Sequence, residues 1–295
     1  MNKKTKETER IEKKKVVRKQ LFRVLNDEIL SPSLVSAIAG DKEFCSRERN
    51  KFSKLLSHRG DDLYVDLLFS LTHQYYPVET AKHLWNKILA HKHELSIILG
   101  RNVGINVAAL DYLSNISNQI ENPAIITKSK MTNIADVALK DGLSGLYDSS
   151  TFREKLNIEI KRYNRYGDTV SLIMIDIDDF KKYNDSYGHQ NGDRVISIIG
   201  GIINKLSREL DICARYGGEE FTIILPQTDI KEASIIANRI SSTIAEKFSS
   251  NSRLTVSIGV ASCPNDAKTT NGLVLKADKA LYRSKKNGKN QVTTC

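Results

Sequence analysis

The hydrophobic rhythm of the chain changes near its midpoint. In the first part apolar residues recur at three- and four-residue spacing. Leu21, Phe22, Leu25, Ile29 and Leu30 form one such run, interrupted at Ser31-Pro32. Ala81, Leu84, Trp85, Ile88, Leu95 and Ile98 form another, opened by Pro77 and stopped by Gly100. Further helices are predicted at about 62–72 and 104–119, so residues 16–120 read as a small helical bundle. A last helical stretch, at about 130–141, leads into Asp141-Gly-Leu-Ser-Gly-Leu-Tyr-Asp148, whose two glycines break the run.

Beyond that break, helix and strand patterns alternate. Phe152, Leu156, Ile160 and Tyr163 mark a helix, and Val170–Ile177 is an almost continuous apolar run of the length of a central strand. A helix over about 191–207 follows. Ile212–Tyr216 and Phe221–Leu225 then flank Gly217-Gly218, a pair suited to the positive φ angles of a tight hairpin. A helix at about 229–247, an alternating strand over Leu254–Ala261, a helix over Leu273–Lys286 and a short terminal strand complete the order α-β-α-β-β-α-β-α-β. The fold class is α+β, with helices packed on a mainly antiparallel sheet and an all-α domain before it.

The length of 295 residues suits two folded units, and 40% apolar residues gives each a core. The longest apolar stretches, such as Val195–Ile203, fall well short of a membrane span, and the start is too charged for a signal peptide. A cytoplasmic protein without an integral membrane segment is expected. Cys45, Cys213, Cys263 and Cys295 have no C-x-x-C spacing and read as reduced thiols. The net charge of +10 is concentrated at the start, where residues 1–20 hold nine Lys or Arg. Such an arm can touch nucleic acid or an anionic membrane, but a solvated, frayed terminus is preferred. The expected division is a basic disordered arm at 1–15, a helical domain at 16–125, a linking helix at 126–141 and a chemical domain at 142–295.

Candidate chemistry gathers where the central strand ends in Asp176-Ile-Asp-Asp-Phe-Lys181 and the hairpin supplies Glu219 and Glu220. With the hairpin beside the strand, three to five carboxylates meet at one sheet edge, and a divalent cation is their natural neutraliser. Taken alone, Asp178 and Asp179 read as ordinary solvated strand ends. Asp176 closes a buried strand and Glu219 sits at a glycine turn, which points instead to metal-assisted phosphoryl or nucleotidyl transfer.

Three blocks, Asp141-Gly-Leu-Ser-Gly-Leu, Asp176-Ile-Asp-Asp-Phe-Lys-Lys-Tyr-Asn-Asp-Ser-Tyr-Gly-His-Gln-Asn-Gly-Asp193 and Arg215-Tyr-Gly-Gly-Glu-Glu-Phe221, resemble in order and content the signatures of GGDEF-domain diguanylate cyclases, here in a GGEEF variant. The resemblance covers residues 141 to about 295 and implies a sheet like those of nucleotide cyclases and polymerase palms, flanked by helices. It implies that two GTP molecules are joined into c-di-GMP with release of two pyrophosphates. Mg²⁺ or Mn²⁺ would be held by the carboxylates of Asp176 and Glu219 and the carbonyl of Ile177, with room for two ions per half-site. Glu219 would also help deprotonate the attacking 3′-hydroxyl, and Glu220 is a second acid at the same tip.

By the same resemblance Asn184 and Asp193 would read guanine, because a carboxylate accepts from the ring N–H and the exocyclic amine together. As a residue alone, Asp193 also suits a helix N-terminus. His189 lies between them as a pocket or loop histidine. Phosphates would meet the backbone amides of Phe180 and Lys181 and the side chains of Lys285 and Lys289; without the motif, Lys285-Lys286 is a solvated face. Lys289 departs from the arginine common in the family and loses its two-pronged geometry. Asp148-Ser149-Ser150 replaces a frequent Asn-Arg-Arg, outside the metal site.

Arg208-Glu-Leu-Asp211 stands five residues before Gly217, the register of the family's product-inhibition site, although Arg-x-x-Asp alone is a common helix-end ion pair. One domain holds one GTP, so the implied reaction requires a homodimer, with the helical half as its builder and as the receiver of an unidentified signal or protein partner. His73, His83, His91 and His93 invite a metal-sensor reading, ranked below surface histidines. The alternative functions are a catalytically silent c-di-GMP receptor acting through Arg208 and Asp211, which the intact acids count against, and a nucleic-acid regulator, for which no motif speaks.

Overall fold

The computed structural model describes residue 18, residues 30–121, residue 123, residues 128–249 and residues 253–295. The basic arm and the run Leu21–Ile29 lie outside the described residues. The chain divides into two compact units, Met1–Ala138 and Leu139–Cys295.

The first unit is helical. Ser31-Pro32 does more than interrupt a pattern: Ser31 Oγ accepts from the Leu34 N–H at 3.3 Å and Pro32 takes the first helical position, so α1 (Pro32–Ile38) starts here. α2 (Ser46–Arg59) was not anticipated, because it buries no residue fully and its apolar residues, Phe52, Leu55 and Leu56, fill only one turn. α3 (Asp62–Thr72) and α4 (Val78–Leu99) match the expected spans, and Gly100 ends α4 in the left-handed region at φ 65°. The stretch expected at 104–119 is α5 (Ile105–Asp111) followed by a π-helical turn at Tyr112–Ile116. Leu34, Leu67, Leu68, Trp85, Ile88 and Ile105 form the core of this unit. The α4 stripe does not stay buried to its end, since Ile98 is 76% exposed.

The histidines of this unit do not converge. His73, His83 and His93 are exposed, whereas His91 is buried with Nε2 2.6 Å from Asp111 Oδ2, which corrects the surface reading for that residue. Among the described residues no group of three or more His, Cys, Asp or Glu is placed to hold a metal ion. α6 (Lys128–Ala138) closes the unit.

The second unit is a five-stranded sheet of order β2-β3-β1-β4-β5, formed by β1 (Val170–Ile177), β2 (Ile212–Arg215), β3 (Glu220–Pro226), β4 (Val256–Cys263) and β5 (Val292–Thr294). β1 is antiparallel to β3 and β4 and buried along its whole length, as its unbroken apolar run requires. β5 pairs with β4 in parallel. The strand period of two sends Leu172 and Met174 to one face, packed with Phe152, Leu156 and Leu281 from α7 (Ser149–Tyr166) and α11 (Thr270–Lys286). Ile173, Ile175 and Ile177 go to the other, against Ile199 and Ile240 of α9 (His189–Leu206) and α10 (Ile230–Phe248). Between β1 and α9 stands α8 (Phe180–Tyr187), an element absent from the expected order. Gly259 lets α11 press onto β4, since a Cβ there would lie 2.2 Å from the Ala277 carbonyl oxygen and the Leu281 nitrogen. That close seat aims the last turn of α11, with Lys285, at the end of β1.

Candidate active site

The sheet register brings the acids together. Asp176, next to last in β1, pairs with Glu220 of β3, and the Ile177 N–H donates to the Glu219 carbonyl at 3.3 Å, so the hairpin closes over the strand end as expected. Asp176 is 4% exposed, and Lys285 Nζ lies 2.7 Å from its Oδ2. Burial pushes the Asp176 carboxyl up, and the Lys285 ammonium opposes that push. Glu219 and Glu220 are also raised, first by burial and then by the charge of Asp176. One lysine therefore faces three mutually repelling carboxylates.

The hairpin is held differently from the expected positive-φ turn. Neither Gly217 nor Gly218 adopts the left-handed region. What Gly217 supplies is space, because a Cβ there would stand 2.4 Å from Glu220 Oε2, while Gly218 is open on all sides. The conformation is fixed by Arg215, whose Nε donates to the Gly217 carbonyl at 3.1 Å and whose NH2 donates to the Gly218 carbonyl at 2.7 Å. Its NH1 lies 3.2 Å from both oxygens of Asp141. Asp141 is itself held by the N–H and Oγ of Ser144 at 2.8 Å. Burial works to raise the Asp141 carboxyl, but the Ser144 and Arg215 bonds outweigh it and hold the group below its ordinary range. Both residues stand in the quoted sequence blocks, yet nothing in their spacing announces that they meet.

Asp178 is not a solvated strand end. It is buried and accepts from Thr255 Oγ1 and Ser257 Oγ at 2.7 Å each and from the Asn290 N–H at 3.1 Å, tying the loop after α11 to the sheet. Asp179 is exposed, as expected, but engaged: Lys182 at 2.8 Å and Lys289 at 2.6 Å bring its carboxyl down to about 2. It precedes α8 with a positive φ of 55° and no side-chain cap, so the amides of Phe180 and Lys181 open the helix without a capping carboxylate. Lys289, expected at phosphate, thus has an acidic partner of its own.

The guanine candidates lie on the other side of β1. Asn184 of α8 faces Gly192 so closely that a Cβ at 192 would stand 1.9 Å from Asn184 Oδ1 and 3.2 Å from Phe180 Cζ. Asp193 follows that glycine, in the second turn of α9 and exposed, so the first-turn reading does not apply to it. Asn184 Oδ1 is buried without a hydrogen-bond partner. His189 is the exposed first residue of α9. Apart from this cluster, the Arg208 N–H donates to Asp211 Oδ2 at 2.7 Å and the Asp211 N–H to the Arg208 carbonyl at 3.1 Å. These residues follow the end of α9, so the pair is a backbone-locked turn with the arginine exposed, not a helix-end bridge. Burial raises the Asp211 carboxyl, and Arg208 and Arg239 counter it.

The donor set suits a small, hard divalent cation: a buried carboxylate, a second carboxylate at the hairpin and a neighbouring backbone carbonyl leave positions for water and phosphate oxygens.

Comparison with known proteins agrees with this site. A diguanylate cyclase A from Treponema denticola is 34% identical over 239 residues, which is 79% of this chain and 62% of that protein. The chain thus spans less than two thirds of that relative, and the matched length exceeds the second unit. The coiled coil and GGDEF domain of DgcB from Caulobacter crescentus, solved with c-di-GMP, superimposes with a TM-score of 0.53 at 27% identity, over 63% of this chain and 96% of that one. The diguanylate cyclase SiaD from Pseudomonas aeruginosa, solved with its activator SiaC, covers 85% of this chain and 100% of its own, with a TM-score of 0.51 and 25% identity. The family described as diguanylate cyclase, GGDEF domain, matches residues 138–291, more than half of the sequence, and the chain belongs to that family.

Proposed function

We propose that the protein condenses two GTP molecules into c-di-GMP and two pyrophosphates. The observation that carries this reading is the meeting of Asp176, Glu219 and Glu220 at one strand end, with Asn184 Oδ1 buried against Gly192 without a hydrogen-bond donor. Guanine offers that donor through its N1–H and N2–H edge, and the Asp193 carboxylate takes the same pair, which adenine does not present. GTP is therefore the preferred substrate and ATP a poor one.

Asp176 and Glu219, with the Ile177 carbonyl, would hold Mg²⁺ or Mn²⁺, which supplies charge neutralisation at the phosphates and acidifies a nearby hydroxyl. Glu219 receives the proton of the attacking 3′-hydroxyl. Glu220 sustains that negative field. The Phe180 and Lys181 amides and Lys285 orient the phosphates, with Lys289 steering from Asp179. Each half-site carries one GTP, so two copies of the chain meet face to face for one turnover. Arg208, pre-set by Asp211, holds released product and lowers the rate. The helical first unit receives the input; a complex of the SiaD neighbour with an activator protein supports a protein partner there.

The full chain incubated with GTP and Mg²⁺ should yield c-di-GMP, resolved by liquid chromatography. Glu219→Gln should bring kcat down by at least about a hundredfold while the protein stays folded. Product formation by that variant at the parent rate would refute the assignment.

A further inference from the structure

On the α7–α11 face of the sheet, a cavity of about 510 Å³ opens beside the hairpin, lined by Arg153, Met174, Tyr216, Asn271, Val274 and Asp278 among others. It is distinct from the Asn184 pocket, which lies against Phe180 in the opposite core. Asn271, Val274 and Asp278 recur at helical spacing, so α11 presents one face to the cavity. The Arg153 guanidinium stands 5.9 Å from the Tyr216 ring centre, within cation–π range. Among the described residues, neither this guanidinium nor the Asp278 carboxylate has a hydrogen-bond or ion-pair partner.

The cavity is therefore polarised along α11. At one end stand the exposed Arg153 and Asn271, the latter in the first turn of a 17-residue helix where the Gly272 N–H is capped by Thr269 Oγ1 and the guanidinium favours a phosphate. At the other end Asp278 offers a carboxylate, with Met174 and Val274 as an apolar floor. Seven residues of helix separate Asn271 from Asp278, about 10 Å, the reach of a nucleotide from its 5′-phosphate to the far edge of its base. A carboxylate facing a planar base selects guanine, which presents two adjacent N–H donors.

We propose that this cavity is a second guanine-nucleotide site, an effector site separate from the substrate pocket. Its ligand touches the hairpin through Tyr216, whose N–H donates to the Glu220 carbonyl at 2.8 Å and whose neighbour is Gly217. Occupancy changes the freedom of the segment that carries Glu219.

Equilibrium dialysis of GDP against the full chain tests the site without relying on turnover, with Arg208→Ala present throughout to remove the guanidinium proposed to hold product. Two GDP per chain are expected. Asp193→Ala should leave one, Asp278→Asn or Arg153→Gln should weaken the other by about tenfold or more, and Asp193→Ala with Asp278→Asn should remove both. AMP should compete for neither. A single GDP per chain, removed wholly by Asp193→Ala and untouched by Asp278→Asn and Arg153→Gln, overturns the effector site and leaves the substrate reading intact. Two GDP that ignore Asp278→Asn and Arg153→Gln overturn it as well. No GDP bound at all overturns both readings.

Discussion

Replacing Arg215 by lysine asks how much of the activity depends on holding the hairpin still. The guanidinium serves three acceptors at once: the carbonyls of Gly217 and Gly218 and the Asp141 carboxylate. A lysine ammonium keeps the charge but cannot span that planar arrangement. Each lost bond from a charged donor is worth ~1.5–3 kcal/mol. Arg215 and Asp141 both retain some exposure, so the lower end applies, and the two carbonyl bonds together come to about 2–3 kcal/mol. If that energy is what keeps Glu219 in its working position, kcat falls by about 30- to 150-fold.

Asn184 and Asp193 stand on α8 and α9 and are untouched by the change, so KM for GTP should stay within about threefold. Steady-state kinetics at saturating and limiting GTP separates the two constants, and a thermal melt reports the folded fraction. Asp141→Asn, which keeps the Ser144 contacts and loses the charge, should fall between parent and Arg215→Lys. A fully folded Arg215→Lys protein with kcat within about threefold of the parent would show that the clamp does not position Glu219.

Three further outcomes are expected. Gly192→Ala places a methyl 1.9 Å from Asn184 Oδ1, so the carboxamide must turn away, and KM for GTP should rise about tenfold with kcat at saturation near the parent value. The Asp141 carboxyl is depressed in the folded state, so it adds stability above the ordinary aspartate range near ~4 and loses it as pH falls through the depressed value; acid melts of Asp141→Asn should therefore be flatter below that range than those of the parent. Arg208→Ala should abolish inhibition by added c-di-GMP while the initial rate stays unchanged, and equal inhibition of both proteins would place product at the substrate site instead.

The fold of the second unit was largely legible because its strands differ so clearly from its helices. Val170–Ile177 is apolar at nearly every position, as a strand covered on both faces must be. α8 escaped because it is one short element between two others. Its signal was nonetheless present, for Phe180, Tyr183 and Tyr187 recur at helical spacing and stack along one side. α2 carried a weaker signal, because Phe52, Leu55 and Leu56 fill a single turn of an otherwise polar helix. Ile98 misled for the opposite reason: the apolar period continues to the end of α4, but periodicity reports which face a residue shares and not whether a neighbour covers it.

At the site, residue types were legible and partners were not. Asp176 and Glu219 could be placed together from the strand and hairpin pattern, since antiparallel register leaves little choice once β3 lies beside β1. Asp178 and Asp179 looked alike in sequence and proved opposite: Asp178, directly after β1, is drawn into a hydrogen bond with Ser257 of β4, whereas the left-handed backbone at Asp179 turns that residue out to the surface. The family resemblance assigns Lys285 and Lys289 to phosphate, yet each also neutralises an acid of its own end of the sheet. A buried carboxylate such as Asp176 is costly to leave unpaired. Lys285 therefore cannot turn to a phosphate unless another positive charge replaces it at Asp176, and this ties phosphate orientation to cation binding through a single side chain. That coupling depends on a 2.7 Å contact between residues more than a hundred positions apart, and no local pattern encodes it.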